Sequence, residues 1–135
     1  LAKLGRPVVL SDAAEDALYI LSIHARENDL APKSARVRSL DYFRPHFMED
    51  APFEFIAGSD ILFEVRNCVA VAATLKTLLS VQGTALIADP FRGTAETFRE
   101  CLRREGLTAT VEVLAPPSRV PPRTAGVRLF HVRHS

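Results

Sequence analysis

The sequence predicts an α/β fold in which a mostly parallel sheet carries helices on both faces. Short apolar segments of strand character alternate along the chain with amphipathic helical segments, and this alternation is typical of βαβ units. The last two strand-like segments, 108–114 and 126–133, are joined by a proline-rich stretch instead of a helix. We therefore expect those two strands to form an antiparallel pair at one edge of the sheet.

The first predicted strand is the apolar run 8–10, which has the character of a buried parallel strand. Asp12 follows it and is a suitable N-cap for a helix, because Glu15 lies three residues later at capping-box spacing. Apolar residues recur at intervals of three and four residues up to Asn28. The pattern predicts a strand followed directly by a helix.

The rest of the predicted sheet is arranged around residues 53–64, FEFIAGSDILFE. This β-prone run breaks at Gly58-Ser59 and is followed at once by Asp60. Before it, residues 35–40 alternate in their first half and predict a strand that closes at Asp41-Tyr42. After it, the patterns predict a helix over 67–80, a turn at 82–83, a strand over 84–88 and a helix over 94–105.

The bulk composition fits one globular domain. The chain has 135 residues, of which 47% are hydrophobic, so it can bury a core. Its 17 basic and 16 acidic residues give a net charge of +1, which predicts no general attraction to membranes or nucleic acid. No apolar run approaches the ~20 residues that cross a bilayer, and no signal peptide is visible, so a cytoplasmic location is expected. Cys68 and Cys101 lack CxxC spacing and are expected to be buried, reduced thiols.

Aspartates occur at the ends of four predicted strands. Parallel strands bring their carboxyl ends to the same edge of a sheet, which is where ligands bind in open α/β sheets. Asp12 is placed to accept hydrogen bonds from a ribose diol, and Asp41 to meet an adenine amino group or a loop amide. Aspartate is also a common cap and turn residue, so one alone is weak evidence, whereas the set favours a site. Its members are Asp12, Asp41, Asp60 and Asp89.

Other catalytic signatures do not occur in the sequence. It contains no GxGxxG, GxxxxGK[ST], GxSxG or HExxH motif. The four histidines show no metal-ligand spacing, so no metal site is predicted; His46 alone lies near the expected site edge, as a weak candidate base. Four arginines near the chain's end are interpreted as a solvated edge, in preference to a nucleic-acid surface: Arg119, Arg123, Arg128 and Arg133.

Four segments, taken in order, resemble the class I S-adenosylmethionine-dependent methyltransferases, which are Rossmann-like. They are VVLSD at 8–12, SLDY at 39–42, GSDILFE at 58–64 and ALIADP at 85–90. The Gly-Ser-Asp strand end is most similar to the methyltransferase-like branch that includes protein lysine methyltransferases. Phe63 stands where that branch usually has Tyr, and Tyr42 stands where it has Trp.

The resemblance implies S-adenosylmethionine as cofactor and a role for each matching residue. Asp12 would hold the cofactor ribose, and Asp41 with Tyr42 would lie near the adenine. Ser59 would lie at the rim that meets the methionine end of the cofactor and the acceptor. The implied catalytic residues, which would orient an amine nucleophile, are Asp60 and Glu64.

The family's first strand and its glycine-rich loop are expected before Leu1 and do not occur in this sequence. The resemblance therefore implies a partial domain, with low activity for this chain alone. The strand would come from a longer protein or from another chain, unless the natural protein is degenerate. An incomplete sheet also favours pairing between chains, so a homo-oligomer is among the expected partners.

Three functions stay open at this point. The first is methyl transfer to a protein lysine, as the branch suggests, to a small molecule or to a nucleic-acid base. The second is a non-catalytic α/β binding or assembly module, since a fold does not fix a function. The third is a Rossmann-type enzyme with a nicotinamide cofactor, which the expected antiparallel strand pair disfavours.

Overall fold

The computed structural model describes residues 1–44, 48–115 and 126–135. His46, Arg119, Arg123 and the proline-rich stretch 116–122 therefore lie outside the described residues. The chain divides into two compact units, Leu1–His46 and Phe47–Ser135. No helix in the described ranges has both the length and the apolar character needed to cross a bilayer.

The first unit is a single βαβ element. Strand β1 (Val8–Asp12) pairs in parallel with β2 (Ala35–Ser39), and helix α1 (Glu15–Glu27) connects them. The predicted N-cap was wrong, because Asp12 is the last residue of β1 and the cap position is Ala14. The carboxylate of Asp12 accepts a hydrogen bond from the Ala14 N–H (2.9 Å), so it closes the strand-to-helix turn and does not cap the helix itself.

The second unit is a four-stranded sheet in the order β3-β4-β6-β5 with two helices. Strands β3 and β4 are parallel, and β6 is antiparallel to both β4 and β5. This confirms the α/β class and the antiparallel terminal pair, with the last strand inserted between β4 and β5. The elements are β3 (Phe53–Ser59), α2 (Val65–Leu78), β4 (Leu79–Asp89), α3 (Ala95–Arg104), β5 (Leu107–Leu114) and β6 (Val127–His134).

The predicted turn at residues 82–83 was wrong. Helix α2 ends at Leu78 and the chain enters β4 at once, so Gly83 lies inside a strand. A Cβ atom on Gly83 would come within 2.9 Å of the Phe53 carbonyl oxygen. The glycine therefore permits close approach of two strands, beside a register shift between Phe53 and Phe55.

The core of the second unit lies between its sheet and its two helices. Phe98 of α3 meets Phe130 of β6 edge-on, with ring centroids 5.3 Å apart, a favourable aromatic geometry. Cys68 and Cys101 are both buried and free, as predicted. Strand β3 is less well covered, since Phe55 is 44% exposed, and among the described residues β3 pairs only with β4. Buried apolar side chains of this core include Leu62, Val71, Leu75, Ile87, Leu102 and Val132.

Candidate functional site

The end of β3 places Asp60 at a sharp turn. Its main chain has φ = 55°, the left-handed region that non-glycine residues rarely adopt and that aspartate tolerates better than most. Its N–H donates to the carbonyl of Ala88 on β4 (3.0 Å). The ladder between the two parallel strands therefore continues one residue beyond Ser59, and the carboxylate follows at the carboxyl end of the strand.

The Asp60 carboxylate is held by Arg92, from the turn after β4. The Arg92 Nε donates to Oδ1 (3.1 Å), and Nη2 lies within hydrogen-bond distance of both Oδ1 (2.9 Å) and Oδ2 (3.1 Å). This is a bidentate, charge-assisted contact. The two side chains are 53% and 45% exposed, respectively, so the pair lies at the surface of the second unit.

The turn that carries Arg92 is fixed by a buried carboxylate. Asp89 is 1% exposed, and its two carboxylate oxygens accept from the Arg92 N–H (3.2 and 3.1 Å). The guanidinium of Arg128 lies beside Asp89, with Nε 3.2 Å from Oδ2, although that N–H makes no aligned hydrogen bond with any described residue. The Nη2 of Arg128 donates to the Arg92 carbonyl (2.7 Å), and its Cζ lies over the ring of Phe91, 4.7 Å from the centroid.

This geometry changes the interpretation of two residues. Arg128 was assigned to a solvated edge, but its side chain is 20% exposed and is paired with a buried acid. Asp89 lies at a strand end as predicted, yet its carboxylate is committed to Arg92 and Arg128. Asp89 therefore stabilises the turn after β4, and its carboxylate is unsuited to bind a ligand directly.

The segment after Asp60 leads to Glu64, which precedes α2. The Glu64 carboxylate accepts from Arg66 Nε (2.6 Å) and is 49% exposed. The Asn67 amide donates to the Ile61 carbonyl (3.2 Å), and the Thr94 hydroxyl donates to the Leu62 carbonyl. These bonds hold the 60–64 segment against the starts of α2 and α3.

The first unit carries the other predicted site residues. Asp12 ends β1, and Asp41 follows the neighbouring parallel strand β2. The Asp41 carboxylate accepts from the Phe43 N–H (2.9 Å), and the Tyr42 ring packs on Phe43 with centroids 5.2 Å apart. Both aspartates are thus oriented by a main-chain N–H two residues later, which is the Asx-turn arrangement, at the same edge of the small sheet.

Sequence reasoning missed Arg92 and Arg128 as site residues. The available signal was the segment DPFRG at 89–93. There an acid at a strand end is followed three residues later by an arginine within a turn. Such a turn can aim the arginine back along the sheet edge at a neighbouring strand end. Which carboxylate it meets depends on the parallel order of β3 and β4, and a pattern within one segment does not contain that information.

No known protein-family model matches the sequence, and no curated protein matches it. Solved structures do share the fold. A TehB-like SAM-dependent methyltransferase from Corynebacterium glutamicum is 16% identical, with a TM-score of 0.70 over 99% of this chain and 71% of that chain. The magnesium protoporphyrin IX methyltransferase from Synechocystis PCC 6803 is 14% identical, with a TM-score of 0.74 over 99% of this chain and 62% of that one.

An O-methyltransferase from neocarzinostatin biosynthesis is also similar in structure. It is 12% identical, with a TM-score of 0.71, and the match covers 96% of this chain and 42% of that chain. At these identities the likeness establishes the fold, which is the Rossmann-like fold of S-adenosylmethionine-dependent methyltransferases. The chain spans less than two thirds of the length of the last two structures.

Proposed function

We propose that this chain binds S-adenosylmethionine and takes part in methyl transfer to a nucleophile. The observation that carries the proposal is the shared fold with proteins solved with that cofactor. The Synechocystis enzyme was solved with bound SAM and with bound SAH, at TM-scores of 0.74 and 0.73. The O-methyltransferase of neocarzinostatin biosynthesis was solved with SAH and with SAM.

The carboxylates of the first unit suit the polar parts of such a cofactor. One oxygen of Asp12 is occupied by the Ala14 N–H, and among the described residues the other makes no hydrogen bond. A carboxylate with one oxygen spare can accept from the two hydroxyls of a ribose. Asp41 is oriented in the same way by Phe43, and we assign it, with Tyr42, to the adenine.

In the second unit we assign orientation of the acceptor to Asp60 and Glu64, with Ser59 beside them as a contact to the methionine end of the cofactor. When bound, S-adenosylmethionine supplies a methyl group on a sulfonium, whose carbon an acceptor nucleophile would attack in line while the C–S bond breaks and the thioether S-adenosylhomocysteine leaves. The contribution of the protein is proximity and direction. Arg92 and Arg66 engage the two carboxylates, so these acids act as fixed hydrogen-bond acceptors that align an acceptor N–H or O–H.

For the acceptor we propose a small molecule ahead of a protein lysine. The Synechocystis enzyme is named for magnesium protoporphyrin IX, and the neocarzinostatin O-methyltransferase was solved with 1,4-dihydroxy-2-naphthoic acid. The lysine alternative depends on the branch resemblance at 58–64. These structural neighbours support methyl transfer in general. The acceptor of this chain is addressed by the second assay below.

Calorimetric titration of the full protein with S-adenosylhomocysteine tests the proposal. We expect saturable binding, weakened about tenfold or more in Asp12→Ala because a hydrogen bond to a charged group is lost. Asp16→Ala is the matched control, since Asp16 is an exposed acid in the first turn of α1. No binding by the wild-type protein would favour the non-catalytic module, and binding of NADH instead would favour a nicotinamide enzyme.

A second assay addresses the acceptor. Labelled S-adenosylmethionine is incubated with the full protein and either 1,4-dihydroxy-2-naphthoic acid or a lysine-containing peptide. We expect label to transfer to the small molecule, and Asp60→Ala to abolish the transfer. Transfer to the peptide alone would restore the lysine assignment, and unchanged turnover by Asp60→Ala would remove Asp60 from the mechanism.

A further inference from the structure

We propose that Arg92 is a positioning residue for Asp60, and that Asp89 and Arg128 together hold the turn from which Arg92 reaches it. The connection passes from β6 through the turn after β4 to the end of β3, all within the second unit. The role of these residues in catalysis rests on the proposed methyl transfer. The claim that Arg92 holds the Asp60 carboxylate in place does not depend on that reaction.

The first step is that Asp60 depends on Arg92 for its orientation. The carboxylate is 53% exposed, and among the described residues it makes hydrogen bonds with Arg92 alone. An exposed aspartate without a partner rotates between side-chain conformers. A planar guanidinium that donates from two nitrogens fixes both the plane and the direction of the carboxylate.

The second step is that the main chain of Arg92 is hydrogen-bonded at both its N–H and its carbonyl. Its N–H donates to Asp89, and its carbonyl accepts from Nη2 of Arg128 (2.7 Å). Asp89 is almost fully buried, so a free carboxylate there would be costly and the paired arrangement is strongly favoured. The position of the Arg92 Cα atom is therefore set by a buried ion pair.

The third step is that stability alone is a poor explanation for the Asp60–Arg92 contact. Exposed ion pairs contribute little to folding, yet this one joins two turns with strained main chains. Asp60 has φ = 55° and Phe91 has φ = 58°, and such strain in non-glycine residues often accompanies a functional constraint. A role in fixing the direction of a carboxylate explains both the strain and the bidentate geometry.

The arrangement also determines which carboxylate oxygen faces a ligand. Oδ1 of Asp60 accepts from both Nε and Nη2 of Arg92, whereas among the described residues Oδ2 accepts from Nη2 alone (3.1 Å). Oδ2 therefore keeps more accepting capacity. We assign Oδ2 as the atom that receives an N–H or O–H from the bound molecule, with Arg92 keeping it in place.

The first measurement follows the Nε–H of Arg92 by NMR in the full protein labelled with ¹⁵N-arginine. Arg92→Lys, which removes the signal, assigns it. We expect slow exchange with water in the wild type, and about tenfold faster exchange in Asp60→Ala, because a charge-assisted bond is lost. Arg128→Lys keeps a cation beside Asp89 but loses the forked guanidinium. It should also make the Arg92 Nε–H exchange faster with water than in the wild type.

Arg133→Lys is the matched control for Arg128→Lys. Arg133 lies on the same strand β6, but it is exposed and donates to the Thr84 hydroxyl of β4 (3.1 Å), whereas Arg128 pairs with a buried acid. Arg133→Lys should leave the Arg92 signal unchanged. If Asp60→Ala also leaves that exchange rate unchanged, Arg92 does not hold Asp60 and the inference is overturned.

The second measurement is a double-mutant cycle on the affinity of the S-adenosylhomocysteine complex for the acceptor 1,4-dihydroxy-2-naphthoic acid. Asp60→Ala and Arg92→Ala should each weaken acceptor binding about tenfold, and the double variant should weaken it no further, since coupled residues are not additive. Arg92→Lys should behave like Arg92→Ala because it lacks the fork. Additive losses, or unchanged acceptor affinity in Asp60→Ala, overturn the functional half of the inference.

The two measurements separate the two proposals. If the wild-type protein does not bind S-adenosylhomocysteine, the proposed function fails and the exchange of the Arg92 signal alone decides whether Arg92 positions Asp60. If the protein binds S-adenosylhomocysteine and the cycle is additive, the proposed function stands and the positioning role fails.

Discussion

The side-chain amide of Asn67 donates a hydrogen bond to the main-chain carbonyl of Ile61 (3.2 Å). Asn67 is 1% exposed and belongs to the first turn of α2, whereas Ile61 lies in the segment between β3 and that helix. A buried polar side chain in this place ties the segment that follows Asp60 to the rigid helix. The bond therefore contributes both to stability and to the placement of the candidate site.

Asn67→Ala is expected to lower the free energy of unfolding by about 1 kcal/mol, because the Ile61 carbonyl loses its partner, a loss that is partly offset by removal of the buried Asn67 Oδ1, which has no hydrogen-bond partner among the described residues. Urea unfolding followed by circular dichroism measures the loss. Thr77→Ala is the control on the same helix, where an exposed hydroxyl donates to the Ala73 carbonyl (3.0 Å). It should cost less than about 0.5 kcal/mol, and equal losses in both variants would contradict the role assigned to Asn67.

Thr74→Val is expected to raise the free energy of unfolding by about 1 kcal/mol. Thr74 is 8% exposed, and its hydroxyl has no hydrogen-bond partner within the described part of the chain, so a methyl group of similar size removes an unsatisfied buried polar atom. Threonine and valine have similar helix propensities, which leaves the hydroxyl as the main difference. The same unfolding measurement applies, with the exposed Thr77→Val as control, and a loss of stability in Thr74→Val would be the opposite result.

Gly83→Ala should destabilise the protein by about 1–3 kcal/mol, as overpacking does in a close-packed region. The added Cβ would lie 2.8 Å from the Leu79 side chain and 2.9 Å from the Phe53 carbonyl oxygen, so two strands would have to separate. Gly93→Ala is the matched control, because no heavy atom of residues 1–44, 48–115 or 126–135 beyond Gly93 and its two chain neighbours lies within 4 Å of the position that a Cβ on Gly93 would take. Thermal unfolding of both variants compares them, and equal midpoints would show that β3 and β4 tolerate the extra atom.

The predicted elements that succeeded are those with a strong local signal. A helix was predicted over 94–105 and α3 spans Ala95–Arg104; Gly106, which follows it, has φ of 70°, and a left-handed residue after a helix is a local requirement. Strand β3 begins at Phe53 and ends at Ser59, as its apolar run and the following Gly-Ser-Asp indicated. These element ends are set by residues adjacent in the sequence, so they could be predicted from the sequence alone.

The failures come from contacts between distant segments. Gly83 has the appearance of a turn residue, yet it serves the approach of β4 to Phe53, thirty residues earlier in the chain. Arg92 meets Asp60 across 32 residues, and Arg128 of β6 meets Asp89 because the two lie opposite each other on neighbouring antiparallel strands. Such pairings depend on strand order. The assigned roles of Asp12 and Glu64, and the partial domain expected from the family resemblance, stay predictions.

The last prediction concerns Cys68, which lies on α2 and is buried, with its Sγ 3.8 Å from the Thr94 carbonyl oxygen at the start of α3. Burial raises the pKa of its thiol above the ordinary value of 9.0, because the charged thiolate is poorly solvated there. The unfolded chain therefore releases this proton at a lower pH than the folded protein does. It follows that stability is constant with respect to this group below about pH 9 and falls as the pH rises above it.

Urea unfolding at a series of pH values between 7 and 10.5 checks this. We expect the free energy of unfolding of the wild type to fall more steeply above pH 9 than that of Cys68→Val, in which the titrating group is gone while the other ionisable groups are shared and cancel in the difference. Cys101→Val keeps Cys68, so its free energy of unfolding should still fall more steeply above pH 9 than that of Cys68→Val. Parallel pH profiles for the wild type and Cys68→Val would mean that the thiol is as well solvated as in the unfolded chain, contrary to its burial in the core.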